Sequence, residues 1–378
     1  MVRKHDLFFL LYFVPLFFVK LLTFDASSNI LKTVAVICFG LFALQIMMEK
    51  KYQKKELMIW VIFGAYLALL VLTCGKEGAL FSLIAIISMR KTRIIRNQSI
   101  LFYIGILGVL LCLYMTSDTR EAIRYVGGAW VSITKRSNIA FISFFAVVNI
   151  YLMTFKKNSL KTIGVVGILS YLVFKYTGCR TGMGCAIILL FLLFFYRYRW
   201  FQKSRVVKFF SCVTPTICFV ISIALVYVYN SGNKIGILLN SVLQGRLRQG
   251  SMFLDTYNPK LFGQKLAENF SSSNFFVLDS AYLDMYLCYG VIFSVLWVAL
   301  TTYVIYWAYK KNNYIGVAII VSYAVFGIAE TFLPNCFLNP SLLLYGECVL
   351  EKLGVQKIIS EPIRLFRIKR HGSKRIRA

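Results

Sequence analysis

The chain contains almost no histidine and few acidic residues. Its 378 residues include two histidines, His5 and His371, and only 15 Asp plus Glu against 43 Lys plus Arg. Both histidines lie close to an end of the chain, so the long interior has no imidazole that could act as a base or bind a metal. No Walker-type phosphate-binding loop occurs either. These absences exclude a histidine-based centre in the interior of the chain.

The ten cysteines show no paired spacing. They are scattered through apolar segments, whereas a disulfide framework or a zinc site needs cysteines at regular, closely spaced positions. We expect them to be small buried side chains. Neither a disulfide framework nor a structural metal site is therefore predicted.

Apolar residues dominate what is present. The chain is 59% hydrophobic and 15% charged, and its mean hydropathy is +0.70. Repeated apolar runs of this kind are typical of a polytopic membrane protein. The formal charge of +28 is carried by basic clusters between those runs, such as residues 50–55. This placement matches the positive-inside bias of membrane proteins, so no nucleic-acid partner is predicted.

The alternation of apolar runs with basic clusters predicts an all-α polytopic membrane protein with about 12 transmembrane helices. Residues 1–378 form a single integral membrane domain of the plasma membrane, with an uncleaved first span and both termini in the cytoplasm. Residues 352–378 form a basic cytoplasmic tail. The predicted spans cover about residues 7–24, 30–48, 57–73, a short stretch before residue 90 that either crosses the membrane or is re-entrant, 100–115, 139–155, a seventh ending at 176, 183–196, 209–229, 282–309, 314–328 and 337–349.

The longest polar interruption is residues 230–279, which the alternation places outside the membrane as one large, partly helical extracytoplasmic loop. Leu239, Leu243 and Leu247 recur every four residues, which predicts a helix with Asn240 as its N-cap. Pro259 should end that helix. We interpret this loop as a folded cap over the membrane region.

Three arginines at predicted outer ends are candidate ligands for an anion. Arg180 stands between glycines that let another group approach closely. Arg246 and Arg248 are two residues apart on the predicted loop helix and point to roughly opposite faces, so we choose Arg246 as the one that faces the membrane. The alternatives are an arginine that meets lipid head groups and a solvated loop charge.

Three carboxylates lie in or beside apolar segments. Ionisable groups at membrane depth are costly, so Asp284 and Glu330 are functional candidates, and Glu330 is the stronger because its surroundings need no charge for packing. Asp279 begins the re-entry into span ten, where a helix N-cap is the plain alternative to catalysis. The first outer loop holds a lone Asp25, so no catalytic divalent cation is predicted there.

Several short motifs resemble those of the Wzy-type repeat-unit polymerases of capsule, exopolysaccharide and O-antigen. The likeness extends over the whole architecture, with Cys179 where serine is usual and Ser280 where asparagine is common. The motifs that carry it are residues 177–182, 243–247, 261–263, 279–282 followed by Tyr289-Gly290, and Glu330 with Asn335 and Asn339.

The resemblance implies metal-independent and cofactor-independent glycosyl transfer at the outer membrane face. A growing glycan would pass from its polyprenyl diphosphate carrier to the sugar of a new lipid-linked repeat unit. Lipid-linked oligosaccharides would be the substrates, and a flippase and a chain-length regulator would be the protein partners. Arginines would stabilise the departing diphosphate and a carboxylate would act as base. Catalysis is assigned to Glu330 and Asp279, and substrate binding to Arg180, Arg246, Arg248, Arg136, Tyr282 and Asn339.

Three other functions are considered. A lipid-linked oligosaccharide flippase would need charges spread through the central bundle, whereas these gather at one face. An O-antigen ligase shares the architecture, but that family uses an outer-loop histidine that this chain lacks. A structural scaffold would not need an arginine-rich loop.

Overall fold

The structure, a computed structural model, describes residues 4–22, 33–34, 37–42, 52–90, 92, 94–115, 120–126, 129–135, 139–156, 158–243, 245–268 and 278–355. The predicted second span falls mostly outside these residues. Helices dominate the described part of the chain. In chain order they are α1 (Lys4–Leu22), α2 (Lys54–Cys74), α3 (Gly78–Ser88), α4 (Ile94–Met115), α5 (Ile139–Phe155), α6 (Leu160–Thr177), α7 (Arg180–Phe195), α8 (Arg199–Lys203), α9 (Arg205–Asn230), α10 (Lys234–Val242), α11 (Arg246–Thr256), α12 (Ala281–Asp284), α13 (Val291–Lys310), α14 (Tyr314–Phe326) and α15 (Leu342–Lys352).

Five of these helices are long and apolar enough to cross a membrane: α2, residues Asn97–Tyr114 of α4, α6, α9 and α13. Only 17% of the apolar window of α2 is buried inside the protein, and 22% of that of α6. Large apolar side chains such as Leu72, which is 84% exposed, therefore face outward over whole helices, which water would not tolerate but lipid would. The prediction of a helical fold is confirmed, and the five helices are consistent with a membrane protein, whereas the number of spans stays a prediction.

Two shorter helices form the centre of the bundle. Along α14 every residue from Gly316 to Ala324 is buried, and α5 is buried from Ala140 to Ile150. A helix that is apolar on all sides can be stable only inside other apolar structure. The rings of Tyr323 and Phe326 pack against Phe145, with ring centroids 5.3 and 5.6 Å apart. The outer, lipid-compatible helices thus surround an aromatic core.

The predicted outer loop after α4 contains a β-hairpin, a local departure from the all-α fold class of the rest of the described chain. Strands β1 (Arg120–Val126) and β2 (Ala129–Lys135) pair antiparallel, with Val126 opposite Ala129. Alternating β-branched and aromatic residues favour a strand here.

The predicted loop helix and its caps were wrong in detail. Asn240 lies inside α10, which Asn233 caps, and the chain turns at Gly245 (φ +85°) before α11 begins. The side chain of Asn240 accepts a hydrogen bond from the backbone N–H of Arg248 at 3.0 Å, so it joins the two helices. The helix ends at Thr256, three residues before Pro259. Leu239 and Leu247 therefore belong to two helices, because the four-residue spacing continues across a turn.

Predicted span ten is broken rather than continuous. It consists of the single turn α12, a π-helix (Met285–Tyr289) and then α13, with Gly290 between them at φ +96° and ψ +166°. That conformation is open essentially only to glycine. Predicted span twelve begins later than expected, because residues 327–341 form successive turns and α15 starts at Leu342.

A segment of the loop supplies the hydrogen bonds that the break at Gly290 leaves open. The first amides of α13 donate to this segment, Val291 to the oxygen of Lys260 at 3.0 Å and Ile292 to that of Leu261 at 3.3 Å. In return the amide of Gln264 donates to the oxygen of Cys288 at 2.8 Å. Helix ends away from water need such partners. The loop is thus fastened to the start of α13.

This attachment predicts that Gly290→Ala destabilises the protein severely. A Cβ at Gly290 would lie 2.6 Å from the oxygen of Leu261, so the loop would have to detach. Gly75, at φ +73°, is a matched control because a Cβ there meets nothing within 4 Å. Gly75→Ala should cost about 1–2 kcal/mol from the left-handed backbone alone. Thermal unfolding of the two purified variants should differ clearly, and equal midpoints would contradict this account of the loop attachment.

Candidate functional site

The guanidinium of Arg246 lies between two carboxylates that come from separate parts of the chain. Its Nη2 is 3.2 Å from Glu330 Oε1, and its Nε is 3.5 Å from Asp279 Oδ2. Gly245 makes the left-handed turn that begins α11 at Arg246. The side chains of Arg246 and Glu330 are 17% and 16% exposed, and that of Asp279 is 38% exposed. The pairing is therefore partly open to a ligand.

A hydroxyl completes the Arg246 cluster, by which we mean Arg246, Asp279, Glu330 and Thr181. Thr181 Oγ1 donates a hydrogen bond to Glu330 Oε1 at 3.0 Å. It can do so because α7 packs closely on α5 at Gly182, where a Cβ would collide with the ring of Phe141. The turn at residues 177–182 thus reaches the cluster through Thr181, which our sequence analysis did not select.

The segment after α14 positions Glu330. The backbone oxygen of Gly327 accepts a hydrogen bond from the amide of Ala281 at 2.9 Å, which ties this segment to the start of α12. Asp279, two residues before Ala281, is held near Glu330 by the same contact. A helix N-cap was the alternative to catalysis for Asp279, and that alternative is wrong: Ser280 occupies the cap position, without a side-chain cap bond.

Burial and charge act in opposite directions on the cluster. Burial raises the pKa of Glu330 to about 7, although Arg246 and the hydrogen bond from Thr181 lower it. Burial alone would lower the pKa of Arg246, and the two carboxylates outweigh it and raise that pKa. A carboxyl group that titrates near neutral pH can both accept and release a proton, which is what a general base requires.

A second ion pair lies beside the first. Lys76 Nζ, in the connection between α2 and α3, is 2.6 Å from Asp284 Oδ1. Asp284 is 2% exposed, so its charge needs this partner. Asp284 was a candidate from the sequence, but its partner Lys76 was not, because sequence spacing cannot connect residues 208 positions apart.

Glu268 links the two ion pairs electrostatically. Its carboxylate accepts a hydrogen bond from the amide of Leu278 at 3.4 Å. Burial raises its pKa, Lys76 lowers it, and the neighbouring Asp284 and Asp279 raise it. Glu268 was not among the candidates from the sequence, although acidic residues are so rare in this basic chain that each could have been considered for the site. The candidate site therefore holds more carboxylate than its two cations can neutralise.

Gln249 offers further hydrogen-bonding capacity on α11. It follows Arg246 by three positions, so the two side chains share a helix face. It is 1% exposed, and neither its amide nitrogen nor its amide oxygen has a hydrogen-bond partner among the described residues. Unsatisfied buried amides are rare and call for an explanation. A ligand hydroxyl that enters between α11 and the cluster would satisfy both atoms.

The other predicted substrate-binding residues have different surroundings. Arg180 is exposed at the start of α7, and Arg248 is half-buried on α11. Tyr282 is buried and donates to the oxygen of Ala324 at 2.8 Å. Asn339 is buried and donates to the oxygen of Leu333 at 2.8 Å, which stabilises the turns before α15. Arg136 lies outside the described residues.

The described residues include no group of three or more His, Cys, Asp or Glu side chains that could hold a metal ion. Arg246 is the cation that contacts Glu330.

The geometry predicts a measurable titration of Glu330. We expect a protonated-carboxyl band in infrared difference spectra, wild type minus Glu330→Gln, of the protein in lipid bilayers. The band should disappear as the pH rises, with a midpoint near pH 7. Arg246→Gln should move that midpoint upward, because a cation favours the ionised carboxylate. Arg248→Gln is the matched control and should leave the midpoint unchanged. An ordinary glutamate midpoint in the wild type would contradict the burial argument.

The comparisons with known proteins leave the site to be interpreted from its own chemistry. No family description, no curated protein and no solved structure matches this chain.

Proposed function

We propose that this chain is a metal-independent glycosyltransferase that polymerises polyprenyl-diphosphate-linked repeat units into a surface polysaccharide. The observation that carries the proposal is Arg246 held between Glu330 and Asp279 in a partly buried site. Such a transfer needs a base for the acceptor hydroxyl and a cation for the departing diphosphate. The cluster contains both, on the same motifs through which the sequence resembles the Wzy-type polymerases.

Glu330 is the proposed general base. In the reaction, the acceptor hydroxyl oxygen forms a bond to the anomeric carbon of the growing glycan. The bond from that carbon to the diphosphate breaks, and its electron pair leaves on the diphosphate oxygen. The hydroxyl proton passes to a carboxylate oxygen of Glu330 and later to water. A pKa near 7 suits both proton transfers, because a base works best close to the ambient pH.

Proton transfer to Glu330 also frees Arg246 for the leaving group. As long as Glu330 is ionised, the charge of the guanidinium is neutralised by two carboxylates. Once Glu330 takes the hydroxyl proton, that pairing weakens at the moment when negative charge develops on the diphosphate. The planar guanidinium can bind diphosphate oxygens through two parallel N–H groups. The base, Glu330, and the cation that stabilises the leaving group, Arg246, are thereby coupled through their mutual contact.

Asp279 is proposed to position Arg246 rather than to cap a helix. Its Oδ2 contacts the Nε of Arg246, on the same edge of the guanidinium as the Nη2 that contacts Glu330. Two contacts on this edge fix the plane of the guanidinium and leave Nη1 for the diphosphate. Gln249, on the same helix face as Arg246, is a proposed contact for a sugar hydroxyl.

The proposed setting is the plasma membrane, with twelve spans, both termini and the basic tail in the cytoplasm and residues 230–279 outside. Lipid-linked oligosaccharides would reach the cluster along the apolar surfaces of neighbouring spans. A flippase that delivers repeat units and a regulator of chain length are the expected protein partners.

Loss of the base should stop polymerisation. With lipid-linked repeat units extracted from a deletion strain, purified Glu330→Gln should form polymer about 10²–10⁴-fold more slowly than wild type. Asp279→Asn should reduce the rate less, because Arg246 keeps its second partner. Asp255→Asn, on the exposed side of α11, is the control and should polymerise normally. Polymer length on gels gives the readout.

Normal polymerisation by both Glu330→Gln and Asp279→Asn would exclude this mechanism.

The deletion strain separates the polymerase from a flippase. Single repeat units that accumulate on the outer leaflet support the proposal, and accumulation on the inner leaflet would refute it.

The proposed topology can be tested independently of activity. Reporters fused after Lys265 should be extracytoplasmic, and reporters fused after Lys54, Lys203 or Lys310 should be cytoplasmic. A cytoplasmic signal after Lys265 would place the Arg246 cluster on the wrong side of the membrane for this reaction.

A further inference from the structure

A basic cavity lies at the end of the bundle opposite the Arg246 cluster. There α5, α7 and α13 end and α14 begins. Its volume is about 410 Å³, within the range of small-ligand sites. The described residues that line it include three cations, Lys156, Arg197 and Lys311, and no carboxylate. Lys311 is paired with Glu351 and Lys156 interacts with Glu347, and both carboxylates lie outside the lining, so the surface of the cavity itself is cationic.

The helix dipole alone could explain the cations, because basic side chains at helix C-termini offset it. The backbone conformation indicates a shaped site in addition. Only two non-glycine residues in the described chain have left-handed backbone, Lys156 at φ +47° and Asn312 at φ +54°, and both line this cavity. Strained backbone concentrates where a site has to be shaped. For Lys156 in particular, a glycine would satisfy the turn at lower cost.

Amide side chains fix the shape of the cavity. Asn158 donates to the oxygen of Leu193 at 2.8 Å, and Gln202 donates to the oxygen of Tyr196 at 2.7 Å. These bonds occupy the last carbonyls of α7, the groups that would otherwise repel an anion. Asn158 Oδ1 is buried and without a partner in the described structure, so it can accept a hydrogen bond from a ligand hydroxyl.

The start of α14 contributes positive potential. Asn313 caps this 13-residue helix by accepting from the amide of Gly316 at 3.1 Å. Tyr314 and Ile315, whose amides belong to the first turn, also line the cavity. Unpaired amides in the first turn of a helix favour an anion. Cations and helix start thus act on the same cavity.

The aromatic residues next to the cavity indicate its depth in the bilayer. Tyr198 and Trp200 flank the start of α8 and are 43% and 63% exposed. Exposed tyrosine and tryptophan are typical of the interface between lipid tails and head groups. Arg197, which precedes Tyr198, would therefore lie at head-group level.

We propose that this cavity binds the phosphate of an anionic phospholipid head group, a ligand distinct from the substrate of the proposed polymerase. Lys156 and Arg197 contact the phosphate oxygens, and Asn158 accepts from a head-group hydroxyl. Phosphate chemistry could also come from free phosphate in solution. The exposed aromatic pair and the apolar helix α13, which ends at the cavity and is long enough to cross a membrane, favour the lipid, since neither would be needed for a soluble ion.

The test measures lipid binding by native mass spectrometry. It uses the full-length protein purified in a zwitterionic detergent. Phosphatidylglycerol should remain bound to the wild type, whereas phosphatidylcholine should not. Arg197→Gln and Lys156→Gln should each weaken phosphatidylglycerol binding about tenfold. Arg199→Gln is the matched control: Arg199 is exposed two residues away and does not line the cavity, so its variant should bind like the wild type.

Inorganic phosphate alone forms the second arm. Phosphate that binds as tightly as phosphatidylglycerol, with the same loss in Arg197→Gln, would overturn the lipid assignment. Equal phosphatidylglycerol affinity in wild type, Lys156→Gln and Arg197→Gln would overturn the site itself. Thermal unfolding without added lipid checks that the variants are folded, and both substituted residues are exposed, so we expect them to be.

Discussion

The need to pair every charge that leaves water governs this structure. In apolar surroundings an unpaired charge costs several kcal/mol, so each buried ionic group must find a partner across the bundle. Glu56, fully buried at the start of α2, is bound by Arg90 at 2.6 Å. At the other end Lys76 binds Asp284, and Arg246 binds Glu330 and Asp279. These pairs fasten together helices that apolar packing alone would leave free to slide.

The Arg246 cluster differs from the other pairs in a way that bears on function. Glu56 and Arg90 are both closed to solvent, which is what a structural pair requires. Arg246 and its two carboxylates are partly exposed to solvent. The single positive charge of the guanidinium cannot neutralise both carboxylates. When one of the two carboxylates takes a proton, the guanidinium loses a partner, and its positive charge becomes available to a ligand. That is why we assign chemistry to this cluster and a structural role to the pair at Glu56.

Backbone hydrogen bonding sets the second constraint. The chain interrupts its helices at Gly290 and again between α14 and α15, where a membrane tolerates broken helices only if the freed groups find partners. Residues 260–264 supply them at Gly290, and the side chain of Asn339 helps to supply them before α15. Both interruptions border the segments that carry Asp279 and Glu330. The irregular backbone thus delivers the carboxylates to the site.

The sequence by itself determined the helical membrane class and the choice of Arg246, Asp279 and Glu330, because apolar run length and costly charges are local properties. It did not reveal the places of Thr181, Lys76 or Glu268, nor the β-hairpin, and it misassigned Asn240 as a helix cap. Pairings across 84, 149 and 208 positions leave no periodic signal. Only the tertiary structure decided them, since a charge selects its partner by distance and burial in the folded bundle and not by spacing along the chain.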